Sequence, residues 1–252
     1  MKYLVIDIGN SLAKFAMFEH SVLMETNVAT YSDTTINDII ISFLSNCKVN
    51  YCIVSSVTNL SSGSLDGIQQ FVEHKIMYLN HLTKIPLTNL YKTPETLGFD
   101  RIAAAVGANY LYPNENLLVI DAGTAITYEF VNSKAHYLGG NIAPGLQMRL
   151  KSLNYFTQKL PLVQAQFNPD WIGSSTESAI VNGVIYGLKF EIESYYQMCL
   201  NTFENIRIIL TGGDAIFLRS IVKNPIFAVQ NLVLIGLKRI LDYNVSEKNF
   251  PL

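Results

Sequence analysis

The sequence predicts an α/β protein made of two similar halves, each a mixed sheet flanked by helices. Three observations carry that expectation. Leu4-Val5-Ile6-Asp7-Ile8-Gly9 and Leu118-Val119-Ile120-Asp121-Ala122-Gly123 are nearly the same phrase, an apolar run ending in Asp-x-Gly and followed by a small polar residue, Asn10 or Thr124. A second apolar stretch returns after each, Phe15-Ala16-Met17-Phe18 and Tyr128-Glu129-Phe130-Val131, so both copies read as strand, tight turn, strand. Strand-length apolar runs are interspersed with helical segments, which indicates α/β architecture, and strands joined by tight turns make the sheets mixed rather than purely parallel.

In chain order, residues 3–7 read as a buried strand, Gly9-Asn10-Ser11 as the turn and residues 13–18 as the hairpin partner. Residues 33–45 put Ile36, Ile39, Ile40, Phe43 and Leu44 on one helical face. Residues 51–55 and 75–79 are strands; between them Ser61-Ser62-Gly63-Ser64 is a turn into a helix at 65–73. Residues 93–98 form a loop containing Pro94, and 101–111 an Ala-rich helix. The polar stretch Pro113-Asn114-Glu115-Asn116 marks a boundary, dividing the chain into halves 1–113 and 114–252. The second half opens with strands at 117–121, 125–131 and 135–141, the last running into Gly139-Gly140-Asn141-Ile142-Ala143-Pro144-Gly145. Helices follow at 146–153 and 176–200, then a strand at 206–210 ending in Thr211-Gly212-Gly213-Asp214, and helices near 214–222 and 232–242.

Composition narrows the function classes. Of 252 residues 49% are apolar and 15% charged, so a large core is available, with apolar surface to spare for an oligomer. Apolar runs all fall short of the ~18 residues a membrane span needs. The N-terminus starts a strand pattern at once, without a secretion-type segment, which implies a cytoplasmic chain. A net charge of −2 with no basic block argues against a nucleic-acid partner. Cys47, Cys52 and Cys199 lack CxxC spacing and read as reduced, buried thiols; His20, His74, His81 and His136 lack ligand spacing and read as non-catalytic.

Two constellations carry candidate chemistry. In Asp7-Ile8-Gly9-Asn10-Ser11, with Lys14 three residues on, turn amides can hold phosphate oxygens and glycine lets the backbone come close. A carboxylate does not bind phosphate itself; holding hydrated Mg²⁺ is its sensible role, with Lys14 as a point charge on the phosphates. An ordinary β-hairpin turn explains one copy equally well. Recurrence at Asp121-Ala122-Gly123-Thr124 weakens that alternative. The Gly-rich Thr211–Asp214 turn is either a contact for an adenosine or a helix start with Asp214 as N-cap. Neither GxGxxG nor GxxxxGK[ST] occurs.

These features resemble the actin-like, Hsp70-like and sugar-kinase superfamily, in which two ribonuclease-H-like halves each give a phosphate loop. Tyr91-Lys92-Thr93-Pro94-Glu95-Thr96-Leu97-Gly98-Phe99-Asp100-Arg101 looks like the substrate segment of type III pantothenate kinases. Asp121–Thr124, residues 139–145 and Thr176-Glu177-Ser178-Ala179-Ile180-Val181-Asn182-Gly183 resemble that family's later motifs in the same order. Each motif is weak and the ordered set is specific. Ser11 stands where the family usually has Thr, Leu12 is unusually apolar, and Phe99 occupies a position where a smaller residue is common.

The resemblance implies transfer of the γ-phosphate of Mg-ATP to the 4′-hydroxyl of pantothenate, the opening step of coenzyme A synthesis. It implies Asp100 as general base; Asp7, Ile8, Gly9, Asn10, Ser11, Leu12, Ala13, Lys14 and Thr124 at the nucleotide; and Tyr91, Gly98, Phe99, Asp100, Arg101 and Thr176 at pantothenate. Asp121 would hold a monovalent cation, K⁺ or NH₄⁺; the residues alone do not distinguish K⁺ from Mg²⁺. Read without the resemblance, Asp100 is equally an N-cap for the helix starting near Arg101, and Thr176 an N-cap for the long helix. Gly183 and Gly187, four residues apart on that helix, would let a second helix approach, and the family implies a homodimer. A nucleotide-binding regulatory protein of the same fold, or a kinase of another small alcohol, are the competing readings.

Overall fold

The computed structural model describes residues 1–32, 35–58, 63–166, 170–223 and 226–246. They form two compact units, Met1–Tyr112 with Leu232–Leu252, and Pro113–Asn231.

The first unit is built on β1 (Lys2–Ile8), buried at every residue after Lys2 because it has a strand on each side. It pairs antiparallel with β2 (Ala13–Glu19), Asp7 opposite Lys14 and Ile8 opposite Ala13. A third antiparallel strand, β3 (Val22–Ala29), follows at the sheet edge. It is absent from the sequence reading because its side chains are mostly exposed and carry no apolar period. Helix α1 (Ile36–Leu44) buries Ile36, Ile40, Phe43 and Leu44 and ends at left-handed Ser45, whose N–H closes on the carbonyls of Ile41 and Ser42. The expected first turn of that helix, 33–34, lies outside the described residues. Strands β4 (Val49–Ser56) and β5 (Val72–Tyr78) add in parallel, completing the order β3-β2-β1-β4-β5.

The helix expected at 65–73 is a 3₁₀ helix, Asp66–Phe71, in which Ile68 is the buried residue; Val72 already pairs with Val49 as the start of β5. Residues 61–62 of the preceding turn lie outside the described residues. After the two-residue strand β6 (Thr88–Asn89), helix α2 (Phe99–Leu111) begins two residues earlier than periodicity indicates and buries Arg101 to Ala108 without a break.

In the second unit β7 (Leu117–Ala122), β8 (Ala125–Val131) and β9 (His136–Pro144) form an antiparallel meander. Helices α3 (Leu146–Phe156) and α4 (Thr176–Thr202) follow. Then come β10 (Arg207–Thr211), α5 (Ala215–Ile221) and the unexpected short strand β11 (Ile226–Ala228). β10 is parallel to β7 and β11 to β10. Read from β9, the order β9-β8-β7-β10-β11 repeats that of the first unit. The duplication seen in six residues is therefore a duplicated topology, with each Asp-x-Gly turn at the end of a central strand.

The last helix corrects the expected division. Helix α6 (Leu232–Ser246) belongs to the first unit, not to the second half, and packs on α2, β1 and β4. It is buried or half-buried along nearly its whole length, and Leu232, Leu237, Ile240 and Leu241 are fully buried. Its buried cation, Lys238, lies with its ammonium 3.8 Å from the centre of the Tyr3 ring and 2.5 Å from Asp242 Oδ1. Desolvation lowers the Lys238 pKa against the partly compensating pull of Asp242.

Among the described residues no helix is long and apolar enough to cross a membrane. All three cysteines are free. Cys52 and Cys199 are buried, and burial pushes the Cys199 thiol up to about 11. Cys47 is partly exposed rather than buried, because it follows the end of α1 and receives a 3.3 Å hydrogen bond from the Lys2 ammonium.

Candidate active site

The first turn is closed by the Gly9 N–H donating to Leu12 O at 2.9 Å, and the Val57 N–H secures Ile8 O at 3.0 Å. Asp7 is 6% exposed, and the register places it opposite Lys14, so both side chains rise from one face of the sheet. Ile8 and Ala13 are fully buried and can offer a ligand their backbone alone. Asn10, Ser11 and Leu12 are exposed at the tip. This geometry suits an anion held by turn amides, with a carboxylate recessed behind them.

The second turn has the same plan. The Gly123 N–H donates to Ala125 O at 3.1 Å, Thr124 is exposed, and Asp121 is half-buried between Thr127 on β8 and Thr211 on β10. The Thr211–Asp214 turn packs directly against it: the Asp214 N–H donates to Ala122 O at 3.0 Å. Gly212 has φ +93°, and a Cβ there would stand 2.4 Å from Ala122 O and 2.5 Å from Asp121 Oδ1. Glycine is thus required both for the left-handed backbone and for the approach to Asp121. Asp214 is the N-cap residue of α5 by position, without a side-chain capping bond, and burial raises its pKa.

The Asp121 carboxylate is a hard oxygen donor carrying one negative charge. Among the described residues no three His, Cys, Asp or Glu side chains come together as a metal cluster.

The substrate segment is organised by the start of α2. Gly98 is the N-cap residue, in extended conformation, and Phe99 is the first helical residue. Asp100 is therefore in the first turn, not at the cap; its Oδ1 accepts the Arg101 N–H at 2.8 Å. A Cβ on Gly98 would lie 2.6 Å from that oxygen, so the carboxylate occupies the space a side chain would take. The helix N-terminus favours negative charge at this place. Arg101 is 6% exposed, and its guanidinium stands 5.6 Å from the centre of the Tyr91 ring. Tyr91 is itself tied by its N–H to Asn89 Oδ1 at 2.9 Å.

Thr176 is exposed at the start of α4. The cap is Ser175, which forms a capping box with Ser178. Three good capping residues stand in a row here, Ser174, Ser175 and Thr176, so composition alone does not choose among them. Farther along α4, a Cβ on Gly183 or Gly187 would meet nothing within 4 Å, and Phe190 is 54% exposed. That face is uncovered in the single chain.

The first unit thus holds the Asp7–Lys14 turn, Tyr91 and Gly98–Arg101; the second holds Asp121, Thr124 and Thr176. Within them the structure joins Asp7 to Lys14 by register, Arg101 to Tyr91, and Asp121 to the Gly212 turn. Two polar residues beside the first turn escaped the sequence reading. Ser55 pairs with Asp7 on the adjacent strand and is fully buried, its Oγ without a hydrogen-bond partner. Tyr31 donates its phenol hydrogen to Gly9 O at 2.8 Å. Neither belongs to a motif, and no signal along the chain links position 31 to position 9.

Comparison with known proteins gives a consistent set of relatives. A family model described as type III pantothenate kinase matches residues 3–198. A type III pantothenate kinase of Phocaeicola vulgatus is 44% identical over 241 residues, covering 96% of this chain and 98% of that protein. Among solved structures, a Campylobacter jejuni protein described as a putative Baf family transcriptional activator superposes with a TM-score of 0.65 at 25% identity, covering 96% of this chain and 99% of that one. The activator of 2-hydroxyisocaproyl-CoA dehydratase from Clostridium difficile, solved with bound ADPNP, aligns at a TM-score of 0.53 and 12% identity over 100% of this chain and 99% of its own, a likeness of fold.

Proposed function

The chain belongs to the type III pantothenate kinase family, and from that membership we propose that it phosphorylates pantothenate with ATP, the first committed chemistry toward coenzyme A. The observation that carries the reading to particular atoms is the start of α2. There Asp100 stands on a glycine within the helix's first turn, next to an arginine braced by an aromatic ring.

In this reading the pantothenate 4′-hydroxyl attacks the γ-phosphorus in line, the bond to the β,γ-bridging oxygen breaks, and the hydroxyl proton passes to Asp100. Oδ1 holds the Arg101 amide, which leaves Oδ2 to receive the proton. Arg101 meets the pantothenate carboxylate with its planar fork, and the Tyr91 ring, 5.6 Å from the guanidinium, braces it. Amides of the 8–13 turn, the Lys14 ammonium and the Thr124 hydroxyl hold phosphate oxygens, and Asp7 faces the hydrated Mg²⁺ that accompanies ATP. Phe99 and Thr176 border the pantothenate. Asp121 holds a monovalent cation, K⁺ or NH₄⁺, which would supply fixed positive charge beside the nucleotide. Catalysis is then mostly positioning and charge neutralisation. The uncovered Gly183–Gly187 face of α4 is the proposed homodimer contact, and the cytoplasm, where ATP is supplied, the proposed location.

Purified protein with Mg-ATP and pantothenate is expected to form phosphopantothenate when K⁺ or NH₄⁺ is present, and at least about tenfold more slowly with Na⁺ alone. Product mass and coupled ADP release measure it. Equal rates in Na⁺ and K⁺ would remove the cation role from Asp121. ATP binding without product from pantothenate would favour a regulatory nucleotide-binding protein, a role in line with the transcriptional activator that the Campylobacter jejuni relative is described as.

A further inference from the structure

A hydroxyl chain reaches the first phosphate turn from behind, and its donors and acceptors can be assigned in order. Tyr31 OH lies 2.8 Å from Gly9 O, an acceptor with no hydrogen to give, so the phenol hydrogen goes there. Thr58 Oγ1 lies 3.3 Å from the same phenol oxygen and 3.3 Å from Ser56 Oγ; with the phenol hydrogen committed, a bond to Tyr31 has Thr58 as its donor. Ser56 Oγ in turn donates to Thr58 O at 2.8 Å and accepts the Thr58 N–H at 3.2 Å. The Tyr31 hydroxyl hydrogen points to Gly9 O, and Thr58 backs the phenol oxygen.

The consequence lies in the peptide that Gly9 O belongs to. The Gly9 carbonyl and the Asn10 N–H are one planar trans unit, so the two point in opposite directions. Tying Gly9 O back to Tyr31 turns the Asn10 N–H outward, toward the exposed tip at Asn10, Ser11 and Leu12. Left free, this peptide is flanked by a glycine, the residue least able to resist a flip. A flipped peptide would present a carbonyl oxygen to an anion.

The second turn is braced by backbone at the two carbonyls flanking its glycine. The Gly145 N–H donates to Thr124 O at 3.1 Å, and the Asp214 N–H to Ala122 O. In the first turn the Val57 N–H secures Ile8 O as the Asp214 N–H secures Ala122 O, and Gly9 O carries in addition a side-chain brace, which can be removed without touching the ligand side.

We infer that Tyr31 is a positioning residue for the nucleotide: through Gly9 O it holds the Asn10 amide in the orientation that receives a phosphate oxygen, and Thr58 supports it. The inference rests on the reading of residues 7–14 as a phosphate turn.

The test is Tyr31→Phe, which keeps the ring that packs on the apolar core beside α1 and deletes the hydroxyl. Binding of a non-hydrolysable ATP analogue with Mg²⁺, measured by calorimetry, is expected to weaken about tenfold, the scale of one lost charge-assisted hydrogen bond. The KM for ATP should rise in step while the KM for pantothenate stays the same, a split that general loosening of the fold would not produce. Thr58→Ala should show a smaller effect, largely restored by Thr58→Ser, and almost none when added to Tyr31→Phe. Analogue affinity unchanged in Tyr31→Phe, or both KM values rising together, overturns the role of Tyr31. A wild type that binds the analogue without phosphorylating pantothenate sinks the kinase reading alone, and the calorimetric comparison still decides this one. A wild type that binds no nucleotide ends both.

Discussion

Asp100→Asn is expected to lower the turnover of pantothenate by about a thousandfold, the ordinary worth of a positioned general base, while leaving the affinity for an ATP analogue nearly unchanged. The substitution is close to isosteric, and the Asn carbonyl can still accept the Arg101 N–H, now at 2.8 Å to Oδ1, so the first turn of α2 keeps its geometry. What disappears is an oxygen able to carry a proton. The nucleotide turn lies at residues 7–14 on another element of the same unit, which is why binding and turnover should separate. Initial rates give kcat, and calorimetry gives the analogue's affinity. Turnover within about tenfold of wild type would mean that the hydroxyl proton leaves to solvent or to the phosphate itself, as a loose transition state permits.

The route to Asp100 shows what was legible in the amino-acid order and what was not. β1 and β7 stand out because a strand covered on both sides must be apolar throughout, and α1 because its core residues recur at helical spacing. The Asp-x-Gly turns are legible for a related reason: each is closed by its glycine N–H at the end of a central strand, so the requirement falls on small, contiguous residues. β3 has no such signature, because an exposed edge strand draws its stability from its hydrogen-bonded neighbour β2. The segment 65–73 misleads because Ile68 and Phe71 satisfy a helical period, although Val72 is required by β4. The return of α6 to the first unit is invisible in principle: periodicity reports that a helix has an apolar face and says nothing of what covers it. Tyr31 and Ser55 fail for the same reason at the level of single side chains, since their partners lie 22 and 48 residues away. The turns that end the central strands were readable, and the side chains packed behind them were not.

That return has an energetic condition, and Gly236→Ala is expected to break it, destabilising the protein by about 3 kcal/mol or more. α2 and α6 cross at backbone contact: a Cβ on Gly236 would sit 1.8 Å from Ala103 O and 2.9 Å from Gly107 N, and a Cβ on Gly107 2.5 Å from Leu232 O. Since the atoms met are backbone, no change of rotamer relieves the clash and the helices must part. Parting them loosens Leu232, Leu237 and Ile240, all fully buried, and the seat of the Lys238 ammonium over Tyr3. Ala103 is one turn from Asp100, so the displacement reaches the proposed general base; urea midpoint and kcat should fall together, unlike the pure kcat loss of Asp100→Asn. The same change at Gly183 on α4 provides the contrast. Nothing lies within 4 Å of the added methyl group, and a solvent-facing helical glycine replaced by alanine gains about 1 kcal/mol. A gain in stability with the oligomeric state unchanged would show that no second helix closes on Gly183. A loss accompanied by dissociation to monomers, read by light scattering, would show that the partner subunit rests there. An unchanged midpoint in Gly236→Ala would mean that α6 does not cross α2 at this glycine pair.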